Sequence, residues 1–383
     1  MKKLKILVIP SWYPNEKDPL WGNYFIKQSE ALNEIADVSM LYINRVGLKE
    51  IKKLNKERIT DGYDDSKYSF KFYKKTILNY KSLSIDYSYK RYAKASYKAY
   101  KMLELFTGKP DVILVESALP AGLAAKYISD KENIPYVVHA HSEGIMTNPM
   151  YKDYVDVILK DADSYMAVNN VIKTLVEQKR SDCYLVPNFI DCDKFKIGKK
   201  DNKDFTLISV SNFYKVKAID ILLKAMNVVV NEKGNKNVKL KIVGTGEYKY
   251  YYESICKSLN LSNNVEFLGY IDNDKLPEIL SKANALCVSS TFETFCIPIV
   301  EALSSGIPVI TTNCVGPLEI VNNDNSIITP INDIDKYADA ILKMIKDYKK
   351  YDSEKIRDYA IKKYDKKVVC KQIIDICNKV ISK

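Results

Sequence analysis

Short apolar runs rich in β-branched residues alternate with amphipathic stretches along the whole chain, and the alternation starts twice. The first series begins at Lys5 with KILVIP and continues through VSMLYI, DVILVES, PYVVHAH and SYMAVN. The second begins at Phe205 with FTLISVS and continues through LKIVG, VEFLG, NALCVSS and IPVITT. Strands that are apolar on both faces need cover on both faces. The helical segments between them, such as FIKQSEALNEI, AGLAAKYISD, AIDILLKAMNVVV and KLPEILSKA, supply it. Each series therefore predicts an α/β domain with a doubly wound parallel sheet. At 383 residues the chain exceeds one ordinary core and suits two domains. The segment YLVPNFIDCDKFKIGKKDNKD between the series, punctuated by Pro187 and Asn188 and ending in charge, has the composition of a boundary. This places domains at residues 1–188 and 189–364, with 365–383 as a C-terminal amphipathic helix.

Composition excludes several classes. Hydrophobic residues at 46% with charged residues at 28% match a water-soluble chain with a large core. No run reaches the roughly 18 apolar residues of a membrane span. The opening MKKLKILVIP is basic, but its apolar run is short and broken by Pro10, so it reads as a first buried strand rather than a signal peptide. A cytoplasmic protein is expected. The eight cysteines include no CxxC pair, and the two histidines, His139 and His141, make no cluster of zinc spacing with them. Cys256, Cys287 and Cys296 read as small core residues, and no metal is expected.

The net charge of +11 is concentrated between Arg45 and Lys109, where 17 Lys and Arg face 7 Asp and Glu among nine tyrosines. Three readings of this window compete. One is a solvated amphipathic helix with Tyr inside and Lys outside. The second is attraction to an anionic membrane surface, at the inner face of the cell membrane. The third is nucleic-acid binding, which no helix-turn-helix, zinc-finger or RNA-binding signature supports; no nucleic-acid partner is expected.

In open parallel sheets, ligands bind on loops that follow the carboxyl ends of strands. The stretch STFETFCIPIVEALSSGIPVI, residues 290–310, is such a loop and its helix, and it carries Glu293 and Glu301 in apolar surroundings. Pro298 suits the first turn of that helix. The amides of Phe295, Cys296 and Ile297 then point out of its N-terminus, where an anion is favoured. Carboxylates accept hydrogen bonds from hydroxyls. A ligand with both phosphates and sugar hydroxyls fits the set, and so does a plainer account in which Glu301 favours the helix dipole and Glu293 is solvated.

The residues FETFCIPIVEALSSGIPVITT and VGPLEIV resemble the signature of the retaining GT-B glycosyltransferases of family 4. The resemblance runs along nearly the whole chain. PSWYPNEKDPLWGNYFIKQSEAL resembles the family's N-terminal loop and first helix, and VPNFIDCDKF its interdomain hinge. VSNFYKVKAIDILLKA, IVGTGE and VEFLGYI follow in the family's order. It implies two Rossmann-like domains facing across a cleft, an acceptor-side N-terminal one and a nucleotide-sugar-binding C-terminal one, with the last helix packing back on the first. It also implies roles. Glu301 would accept from ribose hydroxyls. Glu293, with Thr294 and Phe295, would hold the donor sugar. Lys217 would neutralise the departing diphosphate, and the amides at Cys296 and Ile297 would bind oxygens. Tyr270 and Ile271 would meet the base, Gly244 and Gly246 would turn beside the nucleotide, and Gly22 would let the first loop approach the phosphates. His141, at the end of VVHAH, matches the active-site histidine near the donor sugar.

Three positions depart from the family pattern. Asn212 stands where an Arg is usual, and Lys215 lies close enough in sequence to compensate. Ala218 and Cys296 stand where Gly is usual. The implied reaction moves a hexosyl unit from a UDP- or GDP-linked sugar to a saccharide or lipid-linked hydroxyl, without metal or cofactor, in cell-surface polysaccharide or glycolipid synthesis. The rival readings are a GT-B nucleotide-sugar epimerase and a weakly catalytic sugar-binding subunit.

Overall fold

The structure, a computed structural model, describes residues 3–15, 21–47, 61–79, 84–200 and 203–382. Parts of two sequence expectations, the first loop at 16–20 and the basic window at 48–60 and 80–83, lie outside the described residues. The chain forms two units, Met1–Val186 with Cys370–Lys383, and Pro187–Val369. These divisions fall at 186/187 and 369/370, where the sequence suggested 188 and 364. The difference at the second arises because Lys366–Ile381 is one continuous helix shared by both units.

The first unit is built on an eight-stranded sheet. Its strands are β1 (Lys5–Pro10), β2 (Asp37–Val46), β3 (Gly62–Asp64), β4 (Lys71–Leu78), β5 (Val112–Glu116), β6 (Tyr136–Ala140), β7 (Ser164–Ala167) and β8 (Cys183–Leu185). They lie in the order β3-β4-β2-β1-β5-β6-β7-β8. Of these pairings only β3 with β4 is antiparallel. β5 and β6 are buried at every position, as VILVE and YVVHA require of strands covered on both faces. The helix Ile85–Thr107 starts at Ser84, whose hydroxyl accepts the Tyr87 N–H at 3.2 Å. It buries Tyr92, Tyr100 and Leu103 and leaves its lysines outside.

The second unit has a six-stranded, wholly parallel sheet. Its strands are β9 (Phe205–Val210), β10 (Val238–Val243), β11 (Val265–Gly269), β12 (Ala285–Val288), β13 (Val309–Thr312) and β14 (Ser326–Thr329), in the order β11-β10-β9-β12-β13-β14. Both sheets reverse direction beside their first strand, between β1 and β5 and between β9 and β12. That is the topological switch point, where diverging loops open a crevice at the strands' carboxyl ends.

The boundary segment is held within the second unit. The Ile190 N–H donates to Tyr364 O at 3.0 Å, and the Lys366 N–H donates back to Ile190 O at 2.9 Å. The Arg357 guanidinium gathers the carbonyls of Cys192, Phe195 and Ser304. All eight cysteines are buried thiols.

Candidate functional site

In the second unit, the loops after β9 and β12 lie side by side at the switch point. The Thr291 N–H donates to Val216 O at 2.8 Å, and the Ser289 hydroxyl to Lys217 O at 2.9 Å. This knitting delivers two side chains to one place. Lys217 Nζ is 2.8 Å from Glu293 Oε1, and the Ser290 hydroxyl donates to the same oxygen at 2.8 Å. Both side chains of the ion pair are mostly buried, 20% exposed for Lys217 and 13% for Glu293. The question of how Glu293 sits in apolar surroundings is answered by that partner.

The helix Ile297–Ser304 follows, with Pro298 in its first turn. Cys296 precedes it with φ 84, in the left-handed region that favours glycine. The usual Gly at this position is a conformational requirement, and Cys296 meets it under strain rather than by shifting the backbone out of that region. Its thiol is buried, and burial first, then the nearby Glu293 charge, pushes its pKa well above the usual 9.0. It therefore stays a neutral thiol. Ala218 likewise takes φ 45 where the loop after β9 enters the helix Ile219–Asn227. Thr294 and Phe295 complete the loop; Phe295 is buried and packs edge-on against Tyr364. Glu301 is half-buried in the helix one turn on.

A third loop braces the first two. The Gly316 N–H donates to Glu293 O at 3.0 Å. A Cβ at Gly316 would lie 2.6 Å from Phe295 N and 2.8 Å from Glu293 O, so only glycine lets this segment lie on the Glu293 loop. The sequence VGPLEIV gives no local sign of this role for Gly316, because the close approach is tertiary. Gly244 and Gly246 sit in the loop after β10, where Thr245 O accepts the Phe213 N–H at 2.9 Å, beside exposed Asn212. Tyr270, 56% exposed, and Ile271 follow β11 at the sheet's edge. Exposed Lys215 opens the short turn that ends at Lys217.

In the first unit, the loops after β1, β5 and β6 meet. The Ser11 N–H donates to Glu116 O at 3.0 Å and the Ser117 N–H to His139 O at 2.8 Å. Gly22, at φ 81, precedes the helix Asn23–Asn33. A Cβ there would stand 2.8 Å from Trp12 O, so the immediate need for glycine is packing within its own loop. His139 is fully buried, and its Nε2 lies 2.9 Å from Val186 O. His141 emerges after β6, with Tyr24 and Phe25 rings 5.6 and 5.1 Å away. Its Nε2 lies 2.7 Å from Glu116 Oε2. The other Glu116 oxygen accepts from Gln28 Nε2. Burial raises the Glu116 carboxyl to about 7, against the smaller opposing influence of His139 and Gln28. Burial, reinforced by His141, lowers His139 to about 4.

Sequence reasoning missed Glu116. Its signal was a single acid closing the apolar run VILV. Ligand atoms of Glu116, His139 and His141 lie within 4.8 Å of one another, a proximity no linear spacing rule revealed. Distance alone would admit a cation, but the 2.7 Å contact already joins two of the three atoms.

The chain matches two family profiles, "Glycosyltransferase Family 4" over residues 59–194 and "Glycosyl transferases group 1" over residues 192–363. It belongs to the group 1, family 4 glycosyltransferases of GT-B fold. The N-acetyl-alpha-D-glucosaminyl L-malate synthase of Bacillus anthracis is 27% identical over 256 residues, 62% of this chain and 66% of that one. The UDP-Gal:alpha-D-GlcNAc-diphosphoundecaprenol alpha-1,3-galactosyltransferase of Escherichia coli is 23% identical over 84% of this chain and 90% of its own. Among the curated relatives matched first, the chain spans 32% to 66% of their length. Sucrose-phosphate synthase from Thermosynechococcus elongatus shares the fold, with a TM-score of 0.76, 17% identity and coverage of 99% of this chain and 100% of that one.

Proposed function

We propose that the chain is a retaining glycosyltransferase that moves a hexosyl unit from a UDP- or GDP-linked sugar to a hydroxyl of a saccharide or lipid-linked acceptor. The observation that carries this reading is the Lys217–Glu293 pair at the switch point of the second unit, beside the N-terminus of the helix Ile297–Ser304. A diphosphate there meets a cation and backbone amides, and a sugar meets a carboxylate. Glu301 takes the ribose hydroxyls, Tyr270 and Ile271 the base, and His141, as the family resemblance implies, serves the donor sugar.

The glycosidic carbon–oxygen bond breaks towards the diphosphate, and Lys217 offsets the charge that grows on the leaving oxygen. A fixed cation of this kind acts in the transition state more than in the ground state. The acceptor oxygen attacks the same face, and its proton passes to a donor phosphate oxygen. No side chain needs to act as nucleophile, and the neutral, buried Cys296 thiol is unsuited to it. Lys217 and the amides serve in place of a metal.

The relative from Escherichia coli is named for a UDP-linked donor and a diphosphate-lipid acceptor. That supports a role in cell-surface polysaccharide or glycolipid synthesis. Among the described residues, no helix is long and apolar enough to cross a membrane. The helix Ile85–Thr107 instead presents Lys94, Lys98 and exposed Leu105 on one face, which suits a chain bound peripherally to an anionic membrane at its cytoplasmic side.

The test is a panel of UDP-, GDP- and ADP-linked sugars, with nucleotide release followed with and without a lipid-linked oligosaccharide extract. Release that depends on the extract, with the anomeric configuration kept in the product, supports the reading. Release or interconversion without any acceptor favours the epimerase. Nucleotide binding with no turnover favours the sugar-binding subunit.

A further inference from the structure

We propose that Glu116 is a positioning residue for His141, the two sharing one proton along the 2.7 Å contact between Oε2 and Nε2, which fixes the orientation of the imidazole. The inference deepens the reading that His141 serves the donor sugar, and its functional half rests on that reading.

Glu116 closes a strand buried at every position and is itself 0% exposed. A lone carboxylate there is costly, so its partners define its state. Gln28, from the helix Asn23–Asn33, donates its amide N–H to Oε1. Three other titratable groups face the carboxyl. His139 Nδ1 is 3.8 Å from Oε2, too long for a hydrogen bond. A carbonyl can only accept, so the 2.9 Å contact with Val186 O puts the His139 proton on Nε2. Its Nδ1 is then a buried lone pair without a partner. Cys377, from the helix Lys366–Ile381, is a thiol that burial, with Glu116 adding to it, pushes up to about 12.

The remaining group is His141. A carboxyl oxygen and an imidazole nitrogen 2.7 Å apart need a proton between them, since both are otherwise acceptors. With Glu116 raised to about 7 by burial and His139 held neutral, the pair Glu116–His141 is where that proton resides near neutral pH. Whichever partner formally owns it, Nε2 is committed and the ring is locked against flipping. Gln28 holds the far oxygen so that the carboxyl cannot rotate away.

Two readouts test this in the full chain. The first needs no activity. The chain has only two histidines, so the imidazole proton and nitrogen resonances can be assigned with His139→Gln. A downfield proton signal from the Glu116–His141 hydrogen bond, protected from solvent exchange, is expected, and it should vanish in Glu116→Leu, which can neither accept nor donate. Its absence from the wild-type protein overturns the shared proton. The second is kinetic. Glu116→Gln should lower turnover by about 10- to 100-fold, the usual loss when a group orienting a site histidine is removed, and should alter the pH profile of kcat. The Kd for UDP or GDP should stay within about twofold, because the nucleotide is assigned to the second unit. In a His141→Ala background the same change should add less than about twofold. Gln28→Met, which leaves the charge in place, should lose a smaller part of turnover.

Unchanged kcat and pH profile in Glu116→Gln, with only thermal stability altered, would make Glu116 a structural residue. One equivalent of zinc co-purifying with the wild-type chain and lost in His139→Gln would show a metal site instead. Failure of UDP and GDP to bind the wild-type chain counts against the glycosyltransferase reading alone, because the resonance test still decides the proton.

Discussion

Lys217 Nζ and Glu293 Oε1 stand 2.8 Å apart, each supplied by a different loop at the same switch point. The cation proposed for the diphosphate is thus occupied by the carboxylate proposed for the sugar. A donor would take over both partners at once. Glu293→Ala should therefore abolish turnover while tightening UDP or GDP binding, up to about fivefold, because it frees Lys217 from a partly exposed pair. Lys217→Ala should weaken nucleotide binding and lower kcat by about 100-fold or more. Calorimetric titration with steady-state rates separates the two, and looser binding in Glu293→Ala would refute the exchange.

The two departures from glycine in this site have a conformational price. Ala218 has φ 45 and Cys296 φ 84. An L residue in this region is disfavoured by roughly 1–2 kcal/mol relative to glycine, partly offset by the greater freedom of glycine in the unfolded chain. Ala218→Gly should raise stability by about 0.5 kcal/mol, read from denaturant midpoints. Cys296→Val, β-branched at positive φ, should lower it by about 2 kcal/mol or more. Cys296→Gly should leave stability within about 1 kcal/mol.

Gly316→Ala probes the brace under Glu293. The added methyl meets backbone atoms of Phe295, Glu293 and Thr294 at 2.6 to 2.8 Å, and backbone cannot swing aside as a side-chain tip can. The Glu293 loop must move. We expect turnover to fall by about 100-fold, as for roughly 1 Å misplacement of a positioned group. Asn212→Ala, at an exposed position in the neighbouring loop, should leave stability within about 0.5 kcal/mol.

How far these features were legible in the sequence depended on whether they were local. Both sheets follow from runs such as VILV of β5 and ALCV of β12, because strands covered on two faces are predominantly apolar. The Lys217 and Glu293 loops were found through motif resemblance, and the structure joins them. Their ion pair spans 76 residues and has no linear signature. The sequence around Glu116 carries no local sign of its enclosure. Only the positions of Gln28 and His141 show that it is enclosed. Gly22 was legible as a required glycine. The atoms it must clear belong to Trp12, ten residues earlier in the same loop.

The Glu116 carboxyl also predicts how stability varies with pH. Its folded value, about 7, lies above the usual 4.5. The folded state therefore binds the proton more tightly than the unfolded chain. The stabilising contribution is complete below about pH 4.5, declines as pH rises from there, and is lost above about 7. The difference corresponds to about 3 kcal/mol for a fully buried group. His139 acts oppositely, because its folded value of about 4 lies below 6.5 and protonation as pH falls from 6.5 to 4 is destabilising. Glu116→Gln should remove the decline between pH 4.5 and 7 and leave the acid-side loss in place, measured by denaturant unfolding across that range. An unchanged curve would place the titrating group elsewhere.

The exposed face of the helix Ile85–Thr107 carries the membrane prediction. Tyr87, Lys94, Lys98 and Leu105 fall on one side at helical spacing, while Tyr92 and Tyr100 are turned into the core. Leu105 is 76% exposed, more than packing within this chain requires of a leucine in a helix. Each basic residue near an anionic lipid surface contributes about 1 kcal/mol. Lys94→Glu with Lys98→Glu should thus reduce binding to phosphatidylglycerol vesicles by about 10-fold or more and leave binding to phosphatidylcholine unchanged. Raising the salt should weaken the wild-type protein in the same direction, since charges beyond about 8 Å are screened at 0.15 M. Leu105→Ser should remove a part that salt does not touch. Equal recovery of the wild-type chain with neutral and anionic vesicles would assign the lysines to solvation alone, and the tyrosine-lined inner face would then account for the whole of this helix.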